Sequence, residues 1–558
     1  MSAVDGPAQL FAPDPRAFPT LTSRQADRIL LHGRWRSVAA GEVLIHPGDR
    51  GAPFYVVLRG TLEVVRGSGP KQVIVTHQVR QFSGESNLLT GRPTLIRLEA
   101  GEAGEVIEVE RERLLDLVQT DAELGPVLLR AFLLRHMQLV AGKLGEVIVI
   151  GSAHSAATLR VKEFLTRNGH PFEYVDLDRD AVAQDLLDRF QVGADDVPVL
   201  ICRSEVVLRN PSNRAIADCL GFNETLDRDT IHDLVVVGAG PAGLAAAVYA
   251  ASEGLDVIVL ESTAPGGQAG SSSRIENYLG FPTGISGLDL TGRAYAQAQK
   301  FGAHVMIAKG AARLSCEGQA YRIYTDDGEC VRGRTVLIAS GAQYRKPALA
   351  NLAQYEGAGV YYAATNMESQ LCGGQEVIVV GGGNSAGQAA VFLAEIARRV
   401  HVLVRRDCLA ATMSRYLIRR IEDHPKIELH TQTEIVALEG ETELTGVQWR
   451  DARTGTVTST TICRVFLMTG AVPSTRWLDG CLTLDQTGFI KTGGDLTRDD
   501  LLATNWPVAR SPFLLETNRA GIFAAGDVRS GNVKRVASAV GEGSIAISFV
   551  HQVLQAAG

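Results

Sequence analysis

No two of the eight cysteines in this 558-residue chain stand in a C-x-x-C arrangement. Cys202, Cys219, Cys316, Cys330, Cys372, Cys408, Cys463 and Cys481 are scattered, which excludes a local redox dithiol and a zinc ribbon. Each is expected as a buried small apolar residue, and no metal site is expected. An excess of positive charge is also missing: the net charge is −7, against a large nucleic-acid-binding surface. No apolar stretch follows a basic segment near the N-terminus, so a secretory leader is not expected and the cytoplasm is the expected compartment. Long apolar runs are scarce. The longest without charge, Leu234 to Ser252, carries three glycines and a proline, which suit a strand, tight turn and helix better than a membrane span.

What is present divides into stretches of different character, and the length allows three or four domains. From about residue 21, short β-type runs ("VLIHPGD", "PFYVVLRGTLEVVRG", "QVIVTHQV") alternate with glycine turns at Gly41, Gly48, Gly51 and Gly60, the spacing of a small antiparallel barrel. A long amphipathic helix, "PVLLRAFLLRHMQLVAGKL", closes this part. The segments "GEVLIHPGDRGAPFYVVLRGTLEVV" and "FSGESNLLTGRP" resemble a cyclic-nucleotide-binding domain. The resemblance implies that Gly84 and Glu85 open a phosphate-binding cassette, with the glutamate on the ribose hydroxyl. It also implies an arginine for the phosphate nine residues later, where this chain has Thr94; Arg92 lies on the other side of Pro93. Without a guanidinium partner the phosphate loses its strongest contact, so cyclic-nucleotide binding is not expected.

Residues 146 to 222 read strand, helix, strand, helix, strand, and resemble a glutaredoxin or thioredoxin fold. Val197-Pro198 matches its cis-proline site. Counting back from Lys162, the C-x-x-C of that family falls on Ser155-Ala156-Ala157-Thr158. A hydroxyl cannot take part in thiol–disulfide exchange, so docking or scaffolding is the expected role.

The strongest pattern begins at Asp233. A strand, "DLVVVGAG", runs into Gly238, Gly240 and Gly243 and then an alanine-rich helix, and a second strand ends at Glu261. Gly238 permits the tight turn, Gly240 lets backbone amides reach a pyrophosphate, and Gly243 lets helix and strand pack closely. The helix N-terminus favours the phosphates, and Glu261 accepts from an adenosine ribose. The unit repeats at "EVIVVGGGNSAGQAAVFLA", with Gly381, Gly383 and, in place of the third glycine, Ala386. Its second strand ends in Arg405 and Arg406, which pair with a 2′-phosphate where an acid would repel it. The first unit therefore reads as FAD-binding and the second as NADPH-binding.

From Asp233 onward the chain resembles a low-molecular-weight thioredoxin reductase, through "PGGQAGSSSRIENYLGFPTGISGLDL", "LIASGAQYRKP", "FLMTGAVPST" and "GIFAAGDVR". The resemblance implies FAD on Gly238, Gly240, Gly243, Glu261, Gln268, Asn277, Gly526 and Asp527, and a homodimer. It also implies a C-A-T-C redox motif at residues 363–366, where this chain has Ala363-Ala364-Thr365-Asn366. A third arginine of the family falls on Ala410, which leaves either Arg415 as a substitute or a looser grip on the 2′-phosphate. The expected architecture is multidomain. A cyclic-nucleotide-binding-like β-barrel with a C-terminal helix (15–144) precedes a thioredoxin-like α/β domain (145–225). Two Rossmann-like domains follow: FAD-binding (230–348 and 476–558) and an inserted NADPH-binding one (349–475).

Hydride transfer asks little of side chains beyond holding two rings together, so an NADPH-dependent reduction of FAD is expected to survive. With the dithiol positions at Ala363 and Asn366, no catalytic residue is assigned, and Cys372 reads as a structural thiol. Three functions stay open: an oxidoreductase passing electrons to an external acceptor (oxygen, a quinone, an iron–sulfur protein or a small molecule), a flavin or NADP sensor that docks a partner, and thioredoxin reduction by an unusual route. Intact features at both dinucleotide sites favour the first. No membrane or nucleic-acid partner is expected, and one dominant orientation of the NADPH domain is.

Overall fold

The computed structural model describes residues 14–66, 71–142, 147–153, 155–178, 196–202, 206–316, 320–441, 443–478 and 480–557, and elements are numbered over these. By contact density the chain forms two units. One comprises Met1–Ala153, Phe164–Thr225 and Ala296–Ala308; the other comprises His154–Glu163, Leu226–Tyr295 and Lys309–Gly558.

The first unit opens with an antiparallel sheet of β1 (Arg34–Val38), β2 (Val43–Ile45), β3 (Phe54–Val65), β4 (Val73–His77) and β5 (Arg97–Val109), in the order β1-β5-β3-β4 with β2 on β5. Gly60, expected at a turn, lies inside β3 at a run of register shifts against β5. Its left-handed backbone brings it so close to Ala103 that a Cβ would lie 2.9 Å from the carbonyl oxygen. This is a bulge, which bends a long strand without ending it. Helices α1 (Ser86–Thr90) and α2 (Leu124–Ala141) follow the cassette and close the core. Phe54, Phe82 and Phe132 meet there with ring centroids 5.6 to 6.1 Å apart. By length and composition α2 is the one described helix that could cross a membrane. Here its Leu128, Phe132 and Leu139 are buried in the barrel core.

A second sheet joins β6 (Val147–Gly151), β7 (Glu173–Asp176), β8 (Val199–Cys202) and β9 (Val206–Arg209) in the order β7-β6-β8-β9. β6 and β7 are parallel, the other pairs antiparallel, and Val197–Pro198 is cis. Helix α3 (Ala156–Arg167) links β6 to β7, and its residues up to Glu163 cluster with the second unit. The second expected helix of this module, over residues 181–192, lies outside the described residues.

The second unit holds two parallel-strand sheets. In one, β10 (Ile231–Val237) lies between β11 (Val257–Glu261) and β14 (Cys330–Ile338), parallel to both. The meander β12 (Ala311–Ser315), β13 (Tyr321–Thr325), β14 extends it, and β21 (Ile522–Ala524) pairs with β14. Leu234 to Val237 are buried in succession, as a strand covered on both faces requires. Helices α4 (Pro241–Ser252) and α8 (Val536–Ala557) pack on one another, and a Cβ on Gly543 would lie 2.1 Å from the Ala242 carbonyl oxygen. In the other sheet the order is β15 (Val360–Tyr361), β20 (Val465–Leu467), β16 (Glu376–Val380), β17 (Arg399–Val404), β18 (Ile427–Thr431), all parallel. Helices α5 (Asn366–Gln370), α6 (Asn384–Ala394) and α7 (Arg415–Asp423) accompany it, and an antiparallel excursion containing β19 (Gly446–Asp451) precedes β20.

Candidate functional site

The first glycine loop joins β10 to α4. Gly238 has φ +103, and a Cβ there would lie 2.4 Å from the Ala339 carbonyl oxygen. A Cβ on Gly243 would lie 1.9 Å from the Gly238 carbonyl oxygen, so helix and turn close only around a glycine. At Gly240 the nearest atom to such a Cβ is 4.0 Å away, which leaves the N-terminus of α4 open. Pro241 starts that helix without sacrificing an intrahelical hydrogen bond. Glu261, buried at the end of β11, accepts from Ala239 N–H at 2.8 Å and from Thr263 N–H at 2.9 Å. Its carboxylate is thereby fixed beside the loop with acceptor capacity left over. An open helix N-terminus beside a clamped carboxylate fits a dinucleotide's pyrophosphate and ribose. Gln268 and Asn277 are exposed in the segment that follows.

Gly526 and Asp527 stand at the end of β21. Gly526 N–H donates to Glu542 Oε2 at 2.8 Å, and Glu542 is paired with Arg529. Burial raises the Asp527 carboxyl above its usual range, opposed by the Lys534 ammonium. Burial likewise lowers Lys534, opposed by Asp527. The sequence pattern marked Asp527 and missed Lys534, whose signal is only its place just before α8.

The second loop repeats the first with one change. Gly381 has φ +146, and a Cβ there would lie 2.3 Å from the Met468 carbonyl oxygen. Gly383, at the N-cap of α6, has nothing within 4 Å of a Cβ position. Ala386 is fully buried in place of the third glycine. Two hydrogen bonds lace residues 412–414 to this loop: Thr412 Oγ1 to the Gly382 carbonyl at 2.7 Å, and Ser414 N–H to Asn384 Oδ1 at 2.7 Å. Arg405 and Arg406 follow β17 directly and are exposed, as is Arg415 at the start of α7. Guanidinium groups at a strand end, with no acid where the first unit has Glu261, are a donor set suited to a 2′-phosphorylated dinucleotide.

Ala363 and Thr365 lie in the extended segment between β15 and α5, with Ala364 buried between them. Asn366 begins α5; its side chain lies outside the described residues. Thr365 N–H donates to Glu368 Oε2 at 2.9 Å, and its hydroxyl donates to the same oxygen. Burial pushes the Glu368 carboxyl up, against these hydrogen bonds. Cys372 is fully buried, its Sγ donates to the Glu368 carbonyl at 3.2 Å, and burial pushes the thiol up to about 12. Such a thiol is protonated at neutral pH and does not attack. Residues 155–163 lie over this region. Ala156 is so close to Gly357 that a Cβ on the glycine would approach the alanine Cβ to 2.6 Å. Leu159 packs against the cluster that holds Tyr361, Ala364 and Cys372.

One cysteine expectation is overturned. Cys316 and Cys481 form a disulfide, with Cα atoms 6.5 Å apart. They lie 165 residues apart, and only the packing of β12 against the 476–478 turn brings them together. Cys202 and Cys372 are buried as expected, whereas Cys219, Cys330 and Cys463 are only partly buried and Cys408 is exposed.

In the barrel the cassette is engaged by its own chain. Glu85 accepts from Asn87 N–H at 3.1 Å and meets His136 Nδ1 at 2.9 Å. Thr94 Oγ1 donates to the His46 carbonyl at 2.7 Å. Arg92 points to the Asn168 carbonyl at 3.1 Å and stacks on Phe222. Arg135, unmarked by any motif, is buried and donates to the carbonyls of Ala17, Phe82 and Gly84 at 2.8 to 2.9 Å; burial lowers it to about 9.

The family model described as pyridine nucleotide-disulphide oxidoreductase matches residues 232–543. The chain belongs to this family. A second model, cyclic nucleotide-binding domain, matches residues 35–121. Among curated relatives, thioredoxin reductase of Streptomyces clavuligerus is 32% identical over 58% of this chain and 95% of its own. Thioredoxin reductase of Bacillus subtilis is 30% identical over 59% and 97%. Among solved structures, Lactococcus lactis thioredoxin reductase (FR conformation) aligns at TM-score 0.51 and 28% identity, covering 58% of this chain and 98% of that one. The structure of T. acidophilum thioredoxin reductase gives TM-score 0.51 and 27% identity, covering 59% of this chain and 100% of that one. The family member described here is thus a thioredoxin reductase-like oxidoreductase, of a family that uses FAD and NADPH, behind a cyclic-nucleotide-binding-type domain.

Proposed function

We propose that this oxidoreductase takes electrons from NADPH and delivers them to an acceptor outside its own chain, without an internal dithiol step. The observation that carries this is the 363–366 segment: alanine stands at its first position, asparagine at its fourth, and Ala156 and Leu159 pack against its surroundings. Neither side chain can be oxidised and reduced reversibly, and the neighbouring Cys372 is buried with its thiol held protonated.

When bound, FAD and NADPH supply the two-electron hydride chemistry. Gly238, Gly240, Gly243 and the α4 N-terminus would hold the FAD pyrophosphate, Glu261 the adenosine ribose and Asp527 the ribityl chain. Gly381, Gly383 and Ala386 would admit the NADPH pyrophosphate to α6, and Arg405 and Arg406 would bind its 2′-phosphate. Lys534 offsets the charge of Asp527 in a partly dry site. Ser155 and Thr158 stand where a thioredoxin-like module carries its thiols, so residues 155–163 contribute packing and no dithiol chemistry. Glu85 and Thr94 are engaged within the barrel, which supports a structural role for that domain and no binding of cyclic AMP or GMP.

Anaerobic mixing with NADPH tests the reading. Near-stoichiometric bleaching of the flavin band, followed by reoxidation with oxygen or a quinone, supports it; absence of bleaching refutes an oxidoreductase and leaves a sensor. Turnover with thioredoxin and a disulfide dye supports the dithiol activity that the relatives' names carry, and overturns the external non-dithiol route.

A further inference from the structure

β17 and β18 lie side by side with His401 opposite Glu428 and Leu403 opposite His430. Three ligand-type side chains converge there. His401 Nδ1 lies 3.0 Å from His430 Nε2 and 3.8 Å from Glu428 Oε2, and His430 Nε2 lies 3.5 Å from Glu428 Oε1. Taking one ligand atom from each residue, all three lie within 4.8 Å of one another; a four-coordinate ion with bonds of about 2.0–2.1 Å spaces its ligand atoms about 3.3–3.4 Å apart, a spacing that a small rotation of the Glu428 carboxylate reaches.

The surroundings prepare the three groups individually. His401 is buried, and its other nitrogen, Nε2, makes no hydrogen bond among the described residues while facing Glu376 Oε2 at 3.7 Å. A proton on Nε2, directed at that carboxylate, leaves the Nδ1 lone pair on the His430 side; a carboxylate behind a ligating imidazole orients metal-bound histidines in this way. Arg399 Nη1 holds Glu428 Oε2 at 3.1 Å, which turns Oε1 toward His430. The Trp449 ring lies 5.6 Å from both imidazole rings and forms an apolar wall. Glu428 is 46% exposed, so an ion and a completing water enter from its side.

We propose that His401, His430 and Glu428 form a binding site for one divalent transition-metal ion of zinc type, with water as the fourth ligand. Two imidazoles and one carboxylate suit a borderline ion and not Mg²⁺ or Ca²⁺, which take oxygen ligands. The ion ties β17 to β18 at the strand that ends in Arg405 and Arg406.

The test is a Zn²⁺ titration of chelator-treated full-length protein by calorimetry, with Mg²⁺ in parallel. One Zn²⁺ per chain is expected, with a melting-temperature rise of about 2–4 °C at saturation and no response to Mg²⁺. H430Q and E428Q, at partly exposed positions, should each weaken binding at least about tenfold while circular dichroism stays unchanged. Absence of saturable Zn²⁺ binding overturns the proposal. So does binding of equal strength and stoichiometry in both variants, which places the ion elsewhere.

Discussion

Replacing Arg405 and Arg406 together by alanine should convert a preference for NADPH into near indifference between NADPH and NADH. Both arginines follow β17 directly and stand exposed in solvent. Charge-assisted hydrogen bonds contribute about 1.5–3 kcal/mol each when sheltered, but exposed ion pairs contribute about 0.2–1 kcal/mol. A 2′-phosphate paired with two guanidinium groups at a strand end lies between these limits, so the pair together is worth about 1–3 kcal/mol, roughly 5- to 150-fold in affinity. The loss falls on the 2′-phosphate alone. In flavin-bleaching titrations the apparent Kd for NADPH should rise by that factor, while that for NADH stays within about twofold. The wild-type preference should also shrink with salt, since surface charges are screened over about 8–10 Å. An equal loss for both nucleotides would show that the arginines support the fold of the loop, and would refute the assignment of the 2′-phosphate to this strand end.

Three further outcomes follow from individual contacts. Gly243→Ala places a Cβ 1.9 Å from the Gly238 carbonyl oxygen, so the purified variant should lose most of its FAD, measured as the ratio of flavin to protein absorbance. The Glu368 carboxyl, raised by burial, binds its proton more tightly in the fold, so the stability it contributes is present at low pH and lost as pH rises from the ordinary carboxylate range through its folded value. Melting temperatures of wild type should therefore fall more steeply than those of Glu368→Gln across that window, and parallel curves would refute the reading. Arg135→Met removes three hydrogen bonds to buried carbonyls and leaves their acceptors unpaired, a loss of about 2–4 kcal/mol read as a lower melting transition of the barrel with flavin reduction unchanged.

Some of this molecule is legible along the chain because its signals are local. A run such as Leu234–Val237, a G-x-G-x-x-G turn and an alanine-rich helix declare a strand, a phosphate loop and a packing helix within about thirty residues. The difference between Glu261 and Arg405 needs only an offset from a glycine. The short strands of the first unit are legible along the chain, but the bulge at Gly60 is indistinguishable there from a turn, because both draw on the same left-handed glycine. The Cys316–Cys481 pair and the His401–Glu428–His430 group left no such trace, since each joins residues from separate strands or turns.

What the sequence by itself determined is which atoms are available: two dinucleotide loops, an acid after one and arginines after the other, and no thiol at positions 363 and 366. Those are matters of covalent chemistry and short spacing, and folding cannot alter them. What only the tertiary structure decided is what surrounds those atoms. Ala156 and Leu159 against the 357–372 region, the clamped Glu261 carboxylate, the buried Cys372 and the converging imidazoles all depend on elements far apart in the chain. The physical reason is burial. It shifts Glu368, Cys372 and Asp527 toward their neutral forms, and it is a property of how distant segments close over a residue.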